Sequence, residues 1–457
     1  MKFATLEDRR VAIWGLGREG RAAVAALRRR LPNQPFTLFC HAREAASLAS
    51  TDGVDIRTEA PGAEALSAFD FVIKSPGISL YKPEIVAAQQ RGTVFTSGTA
   101  LWFGENPDAR VIGITGTKGK STTAALTAHL ARAAGVRTAL AGNIGLPLLE
   151  LDGQRADLWV VELSSFQTGE AGPLEVGVVT SLYEEHLDWH GSRERYVADK
   201  LKLADVSRTL LVNALQPHLL QATANHPHRV RFGDAGGWHV EDRADAGTAG
   251  IFRAGDAMLA LDVLPLPGRH NALNACAALA ALEQAGVDAA GGLFALADFQ
   301  PLPHRLQPLG RQDGLMWVDD SISTTPQAAL AALDSLPGRR VTLILGGYDR
   351  GLDWSGFVRD IATRRGLRVI TQGASGPRIA AAMRAAGESD MLVSADTLDA
   401  AVMAARDGAA EGDVMLLSPG APSFDQFRDY AQRGRHFAYL AGFDPDLTGT
   451  IQGLGIA

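Results

Sequence analysis

A lysine followed by a serine at the end of a glycine-rich turn is the pairing in this chain that most invites a chemical reading. The stretch "GITGTKGKSTT", Gly113 to Thr123, sets Gly116 and Gly119 ahead of Lys120 and Ser121. A nucleoside triphosphate loop needs backbone N–H groups close to phosphate oxygens, a cation for the β- and γ-phosphates and a hydroxyl for Mg²⁺. Gly116, Thr117, Lys118, Gly119, Lys120, Ser121 and Thr122 are the candidate set. The spelling departs from Gly-x4-Gly-Lys-Ser/Thr. Ile114 stands where the first glycine belongs, and Gly113 comes one residue too early. On these residues alone a purely structural strand-to-helix turn stays open.

A phosphate loop also needs metal ligands. "DLWVVELSSFQ" is an apolar strand that delivers Glu162 at its C-terminal end, where ligands gather in open α/β sheets. Glu162 is read as a Mg²⁺ ligand, direct or through water, against an ordinary exposed strand-end carboxylate. "VVTSLYEEHLDWHGSRERYVADK" is denser, with Glu184, Glu185, His186, Asp188 and His190, then Lys200 on a helical stretch. His186 suits a metal-ligating or orienting role. Lys200 as a bare ammonium would repel Mg²⁺. It belongs beside metal only if CO₂ converts it to an anionic carbamate; otherwise it is a solvated helix residue.

The surrounding pattern explains how these groups would be held. "RVIGIT" enters the loop as a strand and "STTAALTAHLARAAG" leaves it as an amphipathic helix, so the helix dipole points at the turn. Strand and helix patterns alternate along most of the chain, which predicts α/β architecture with largely parallel sheets. The first unit opens with a strand, Gly15-x-Gly17-x-x-Gly20 and a helix, the dinucleotide fingerprint. Its second strand ends in Cys40-His41 and not in the acidic residue that would hold an NAD ribose. This loop therefore binds another phosphate-bearing ligand, or is only a tight turn. The first unit closes near "FGENPDAR", the second near "FQPLPHR", and the third carries four apolar strands, "LMWVDD", "RVTLILGG", "LRVITQG" and "DVMLLSPG". The tail "DPDLTGTIQGLGIA" shows no clear pattern.

The 457 residues predict about three domains. Forty-four basic against 51 acidic residues give a formal charge of −7, which argues against a general nucleic-acid or membrane-surface binder. Cys40 and Cys276 lie far apart in sequence and are expected as reduced thiols in a cytoplasmic protein. No apolar run reaches the ~18 residues of a membrane span, and the N-terminus lacks a signal-peptide core.

In register along the chain stand "TGTKGKSTT", "GNIG" (142–145), "ELSSFQ" (162–167), "HLDWHGSRERYVADK", "LPGRHNALNA" (266–275), "PHR" (303–305), "DDS" (319–321), "GGYDRG" (346–351) and "LLSPGAPSFDQFRDYAQRG" (416–434). This series resembles the Mur ligases over about residues 8 to 440. The family's loop reads Thr-Gly-Thr-x-Gly-Lys-Ser/Thr, so Thr115 to Ser121 follows the family spelling.

The resemblance implies three domains: a Rossmann-like UDP-sugar-binding domain at 1–108, a P-loop ATPase-like domain at 109–303 and a Rossmann-like amino-acid-binding domain at 304–457. It also implies ATP-dependent addition of glutamate to UDP-N-acetylmuramoyl-L-alanine through an acyl phosphate, in peptidoglycan precursor synthesis, by a monomer. ATP, two Mg²⁺ and a carbamylated Lys200 are the implied cofactors. By motif position, Lys120 resembles the γ-phosphate lysine and Ser121, Glu162, His186 and Lys200 the metal-site residues. Asn271 and Asn274 resemble the adenine side, and Arg305 and Asp320 the residues that hold nucleotide as the third domain closes. Asn143 resembles a UDP-sugar contact, joined as candidates by Gly17, Arg18, Glu19 and Ser75.

For the amino acid, "DSISTTP" carries Ile322 where the D-glutamate ligases have lysine, Arg350 replaces a lysine, and "SPGAPSF" carries Gly420 and Pro422. Arg350 keeps a carboxylate-binding cation, and Thr324, Ser423 and Tyr430 offer polar contacts. The changes point to a carboxylate that has moved, hence to L-glutamate over D-glutamate. The alternatives are an ordinary D-glutamate ligase, another UDP-MurNAc–amino acid or folate ligase, an NAD-linked oxidoreductase and a nucleotide switch without chemistry.

Overall fold

The computed structural model describes residues 1–46, 53–183, 187–243, 248–266, 268–288 and 291–457. Strands β1 (Val11–Trp14), β2 (Phe36–Phe39), β3 (Val54–Arg57), β4 (Phe71–Lys74) and β5 (Val94–Thr96) form an all-parallel sheet in the order β3-β2-β1-β4-β5. The order reverses at β1. The loops after β1 and β4 therefore splay apart and open a crevice at the C-terminal edge. In the first turn of the helix Arg18–Arg30 only glycine fits at position 20: a Cβ at Gly20 would strike the Gly15 carbonyl.

Strands β6 (Val111–Thr115), β7 (Thr138–Gly142), β8 (Leu158–Glu162), β9 (Leu174–Val179), β10 (Ser207–Asn213) and β11 (Arg229–Phe232) build a second parallel sheet, ordered β11-β10-β9-β6-β8-β7. Every residue of "VIGIT" in β6 and "LWVVE" in β8 is buried, as expected of strands covered on both faces. A small antiparallel sheet follows, β12 (Trp238–Arg243), β13 (Thr248–Arg253) and β14 (Asp256–Ala260). The last sheet joins β15 (Gln307–Gln312), β16 (Leu315–Asp319), β17 (Val341–Leu345), β18 (Leu367–Thr371), β19 (Leu392–Ser394) and β20 (Val414–Leu417) in the order β15-β16-β20-β17-β18-β19, with only β15 antiparallel.

The unpatterned tail has a place. β21 (Gly455–Ile456) runs antiparallel to β7, and Arg132 donates to the carbonyls of Gly453 (2.7 Å) and Gly455 (2.9 Å). Met1–Val263, Ala272–Asp298 and Gly453–Ala457 form one compact unit; Leu264–Asn271 and Phe299–Gln452 form a second. The first two sheets share one core in which the Trp102 and Trp159 rings lie 4.6 Å apart. The last sheet has a core on each face. The α/β class and its parallel sheets agree with the sequence pattern. Both cysteines are free and buried, and no helix among the described residues is long and apolar enough to cross a membrane.

Candidate active site

The Gly116–Gly119 turn connects β6 to the helix Lys120–Ala133. Gly116 has φ 147° and Gly119, which caps the helix, φ 86°; both lie in the region that favours glycine. A Cβ at Gly116 would collide with Thr180 Oγ1, and one at Gly119 with Asn274 Oδ1. The turn is braced from the end of β9. Thr117 N–H donates to the Ser181 carbonyl (2.8 Å), Lys118 N–H to Ser181 Oγ (2.7 Å), and Thr180 Oγ1 to the Lys118 carbonyl (2.6 Å). Thr117 Oγ1 is 2.7 Å from the Tyr196 hydroxyl. Thr180, Ser181 and Tyr196 were not singled out from sequence. Their signal was two hydroxyls directly after an apolar strand.

Two cations close around the turn. Lys120 Nζ donates to the Thr117 carbonyl at 3.0 Å and Lys200 Nζ to the Gly116 carbonyl at 2.9 Å. Lys200 is buried in the helix Arg193–Asp205, with its ammonium 5.0 Å from the Tyr196 ring centroid. Ser121 is buried in the first turn of its helix, Thr122 is half-buried and Lys118 is exposed. The N–H groups of that first turn have no partner within the helix, and they face the same edge as the dipole's positive end.

Glu162 ends β8, the strand beside β6, in register with Ile114. Its Oε1 accepts from Asn143 Nδ2 at 2.9 Å, while its buried Oε2 has no hydrogen-bond partner. A buried carboxylate oxygen without a partner fits a hard divalent cation, since Mg²⁺ takes oxygen ligands and is usually held by one or two carboxylates plus phosphates. Among the described residues no group of three or more His, Cys, Asp or Glu side chains could hold a metal without such outside ligands. Glu184, Glu185 and His186 lie outside the described residues. On the helix Arg269–Gln284, Asn274 also accepts from Thr123 Oγ1 at 3.4 Å, and Asn271 stands one turn earlier and buried.

At the first sheet's crevice, Ser75 Oγ sits over Gly15 and is buried with no partner. Gly17 caps the helix Arg18–Arg30, and Arg18 donates to the Gly145 carbonyl at 3.1 Å. Burial, with Glu170 and Glu150 nearby, pushes the Glu19 carboxyl up to about 7. Glu170 accepts from Ser97 and pairs with the buried Lys74 at 4.0 Å; burial raises the Glu170 pKa and lowers that of Lys74.

A second polar chain in this unit was also missed. Asp199 Oδ2 accepts from His190 Nδ1 at 2.7 Å, and Tyr81 OH is 2.8 Å from both Asp199 oxygens. Burial alone would raise the Asp199 pKa, but hydrogen bonds from Lys202, Tyr81 and His190 outweigh it and hold the carboxyl low.

In the second compact unit, Arg305 lies between two non-glycine residues in the left-handed region, His304 (φ 62°) and Leu306 (φ 46°). Such backbone costs on the order of 1–3 kcal/mol per residue and persists where the surroundings over-determine it. His304 Nδ1 is 2.6 Å from Asp319 Oδ2. Asp320 accepts from Leu306 N–H (3.1 Å) and Ser418 Oγ (2.6 Å), and burial pushes its carboxyl up to about 7. Arg433 is fully buried and donates to Ser321 Oγ and to the carbonyls of Ser321, Ala421 and Pro422. Ser423 is buried, Thr324 half-buried and Arg350 exposed, and the Tyr430 carbonyl accepts from Ser321 Oγ at 2.8 Å.

A glycine-loop phosphate cradle with a buried carboxylate beside it, in a chain of several parallel sheets, defines an α/β enzyme that handles a nucleoside triphosphate. The Mur ligase middle domain matches residues 114–282, and the Mur ligase glutamate ligase domain matches residues 304–420. The chain is 49% identical over 474 residues to the UDP-N-acetylmuramoyl-L-alanine–L-glutamate ligase of Xanthomonas euvesicatoria, covering 100% of both sequences. It is 40% identical over 450 residues to the enzyme of the same name from Salinispora tropica, covering 96% of this chain and 98% of the relative. Among solved structures, the UDP-N-acetylmuramate–alanine ligase of Thermotoga maritima superposes with a TM-score of 0.62 at 21% identity, covering 94% of this chain and 98% of that one. The MurF ligase of the same organism, in complex with ADP, gives 0.60 at 17%, covering 96% of each. At those identities the structural likeness speaks for the fold. The chain belongs to the Mur ligase family of ATP-dependent ligases.

Proposed function

We propose that the protein joins L-glutamate to the alanyl carboxylate of UDP-N-acetylmuramoyl-L-alanine, in the cytoplasm and as a monomer, to make a peptidoglycan precursor. The observation that carries this reading is the 49% identity over both full lengths with a ligase named for those substrates. The substituted positions Ile322, Arg350, Gly420 and Pro422 support the L enantiomer. The domains are residues 1–108 for the UDP-sugar, 109–303 for ATP and 304–457 for the amino acid.

A carboxylate is a poor electrophile. Transfer of the γ-phosphoryl group from ATP to a carboxylate oxygen leaves ADP and an acyl phosphate. The glutamate amine, once deprotonated, attacks the carbonyl carbon, a tetrahedral adduct forms, the amide C–N bond remains and phosphate leaves. Lys120 neutralises charge on the moving phosphoryl group, while Gly116–Thr122 cradle the phosphates. Asn271, Asn274, Arg305 and Asp320 hold the nucleotide. Gly17, Arg18, Glu19, Ser75 and Asn143 place the UDP-sugar; Thr324, Arg350, Ser423 and Tyr430 place glutamate. Ser121, Glu162, His186 and a carbamylated Lys200 are the residues that hold Mg²⁺, which supplies charge neutralisation when bound. Carbamylation leaves one N–H on Lys200, enough to keep its bond to the Gly116 carbonyl.

Phosphate release with UDP-N-acetylmuramoyl-L-alanine, ATP, Mg²⁺ and each glutamate enantiomer tests the proposal. A higher kcat/KM for L-glutamate is expected. Preference for D-glutamate overturns the enantiomer and keeps the ligase; release with neither overturns both.

A further inference from the structure

Three loops meet on one turn of the helix Arg193–Asp205. The first follows β4. Within it, Ser79 Oγ donates to the Trp189 carbonyl (2.6 Å), the Pro76 carbonyl accepts from Trp189 Nε1 (3.1 Å), and Tyr81 OH bonds to the Asp199 carboxylate. The second follows β8. There Ser165 Oγ is 3.0 Å from His190 Nε2, and Thr168 Oγ1 donates to the Asp199 carbonyl at 2.6 Å. The third is the phosphate loop, whose Gly116 carbonyl accepts from Lys200, the residue after Asp199.

Asp199 is an acceptor, so His190 presents Nδ1–H to it. In the neutral ring that leaves Nε2 with a lone pair to accept from the Ser165 hydroxyl. His190 is fully buried, and the rings of Phe166 (4.6 Å) and Tyr81 (5.7 Å) press on its neighbour Trp189. Ser165, His190 and Asp199 stand in the order of a nucleophilic triad, but Ser165 is itself buried and is not placed to attack a substrate.

We propose that Tyr81, Asp199 and His190 are positioning residues that tie the loop after β4 to the loop after β8 and to the phosphate loop. Binding at the first sheet's crevice is thereby felt at the site of phosphoryl transfer. The kinetic part rests on the ligase reading above; the mechanical part stands on the hydrogen bonds alone. An asparagine at position 190 can reproduce the Nδ1–H donor and keep the Asp199 bond. A glutamine reproduces the Nε2 end and releases Asp199.

Hydrogen–deuterium exchange on the full chain without ligands tests the mechanical part. Tyr81→Phe and His190→Gln should speed exchange in residues 113–119 and 163–168, His190→Asn should change them little, and β17 and β20 should stay as in the wild type. Steady-state phosphate release tests the kinetic part. Tyr81→Phe should raise KM for UDP-N-acetylmuramoyl-L-alanine about tenfold and leave KM for ATP within about twofold. His190→Gln should lower kcat about tenfold, His190→Asn should recover most of it, and the Tyr81→Phe/His190→Gln double variant should lose less than the product of the singles. Unchanged or uniformly faster exchange, equal losses in His190→Asn and His190→Gln, or multiplicative double-variant losses would overturn the proposal. A wild type that releases no phosphate with these substrates sinks the ligase reading, and the exchange experiment still decides the linkage.

Discussion

The C-terminal edge of the second sheet and that of the last sheet are built alike, yet their polar groups are used differently. At the second sheet, Glu162 Oε2 is buried without a partner, and two lysines are drawn in around the glycine turn. At the last sheet Asp319, Asp320 and Arg433 are satisfied from within, although His304 Nε2, Ser323 Oγ and Asp425 Oδ1 are buried without a partner. Asp320 has a donor on each oxygen, Asp319 is held by His304 and the Ser321 N–H, and Arg433 spends its donors on Ser321, Ala421 and Pro422. Among the named candidates there, Arg350 is the exposed cation. An edge that keeps an unpartnered charge buried tolerates that cost where a ligand completes it. Strand-end charges that satisfy one another form a rigid frame, and selectivity then sits on its rim. The first should resist substitution, and the second should accept changes at Ile322 and Arg350 that redirect a substrate.

The largest effect should follow at the second sheet. Lys120→Ala and Glu162→Gln should each lower kcat for phosphate release by ~10²–10³ or more, because each removes a group aimed at developing charge. The amide oxygen introduced by Glu162→Gln can still accept from Asn143, so folding should survive; near-normal turnover in either variant would break the contrast. Lys200→Ala comes next, with a loss of about 10²-fold in kcat and partial recovery on adding short carboxylic acids, which replace the carbamate. Loss without recovery would mark Lys200 as a brace for Gly116 only. At the rim, Arg350→Ala should raise the glutamate KM ~10–100-fold with kcat nearly unchanged, and Arg350→Lys should fall between, since lysine cannot bind a carboxylate in bidentate fashion.

What could be read in the sequence divides along physical lines. Lys120, Ser121 and Glu162 could be picked out because each ends an apolar strand or opens a helix, and such local patterns survive in one dimension; Lys200 sits in mid-helix, where local pattern alone reads as a solvated residue, and its burial is tertiary. Gly116 and Gly119 were legible because a crowded left-handed turn admits little else. The Tyr81–Asp199–His190 chain was not, since its partners lie 118 and nine residues apart and tertiary packing alone brings them together. Thr180 and Ser181 read as an ordinary strand end until their bonds to Lys118 are seen. β21 was invisible because two paired residues carry no period. Glu19 and Lys74 could be named or passed over from sequence, but their shifted titration comes from burial beside Glu170, which no spacing reveals.

The smallest effect concerns Asp320 and reads out on stability. Burial lifts its carboxyl from 3.8 to about 7, so the folded chain keeps this proton where the unfolded chain has lost it. Between about pH 4 and 7 the native state therefore binds more protons at this site, and stability from this group falls as pH rises; above about 7 both states are ionised and the contribution is flat. The Asp320→Asn variant would have no charge to bury at this position. Its amide oxygen can accept from the Leu306 N–H, and the Ser418 hydroxyl can turn to accept from its amide nitrogen. The Tm of Asp320→Asn minus that of the wild type should thus grow by about 2–4 °C from pH 4 to 7 and then stay level. Parallel Tm curves would mean that Asp320 titrates like an exposed carboxylate. Its burial and pairing would then not be what distinguishes the strand-end charges of the last sheet from those of the second.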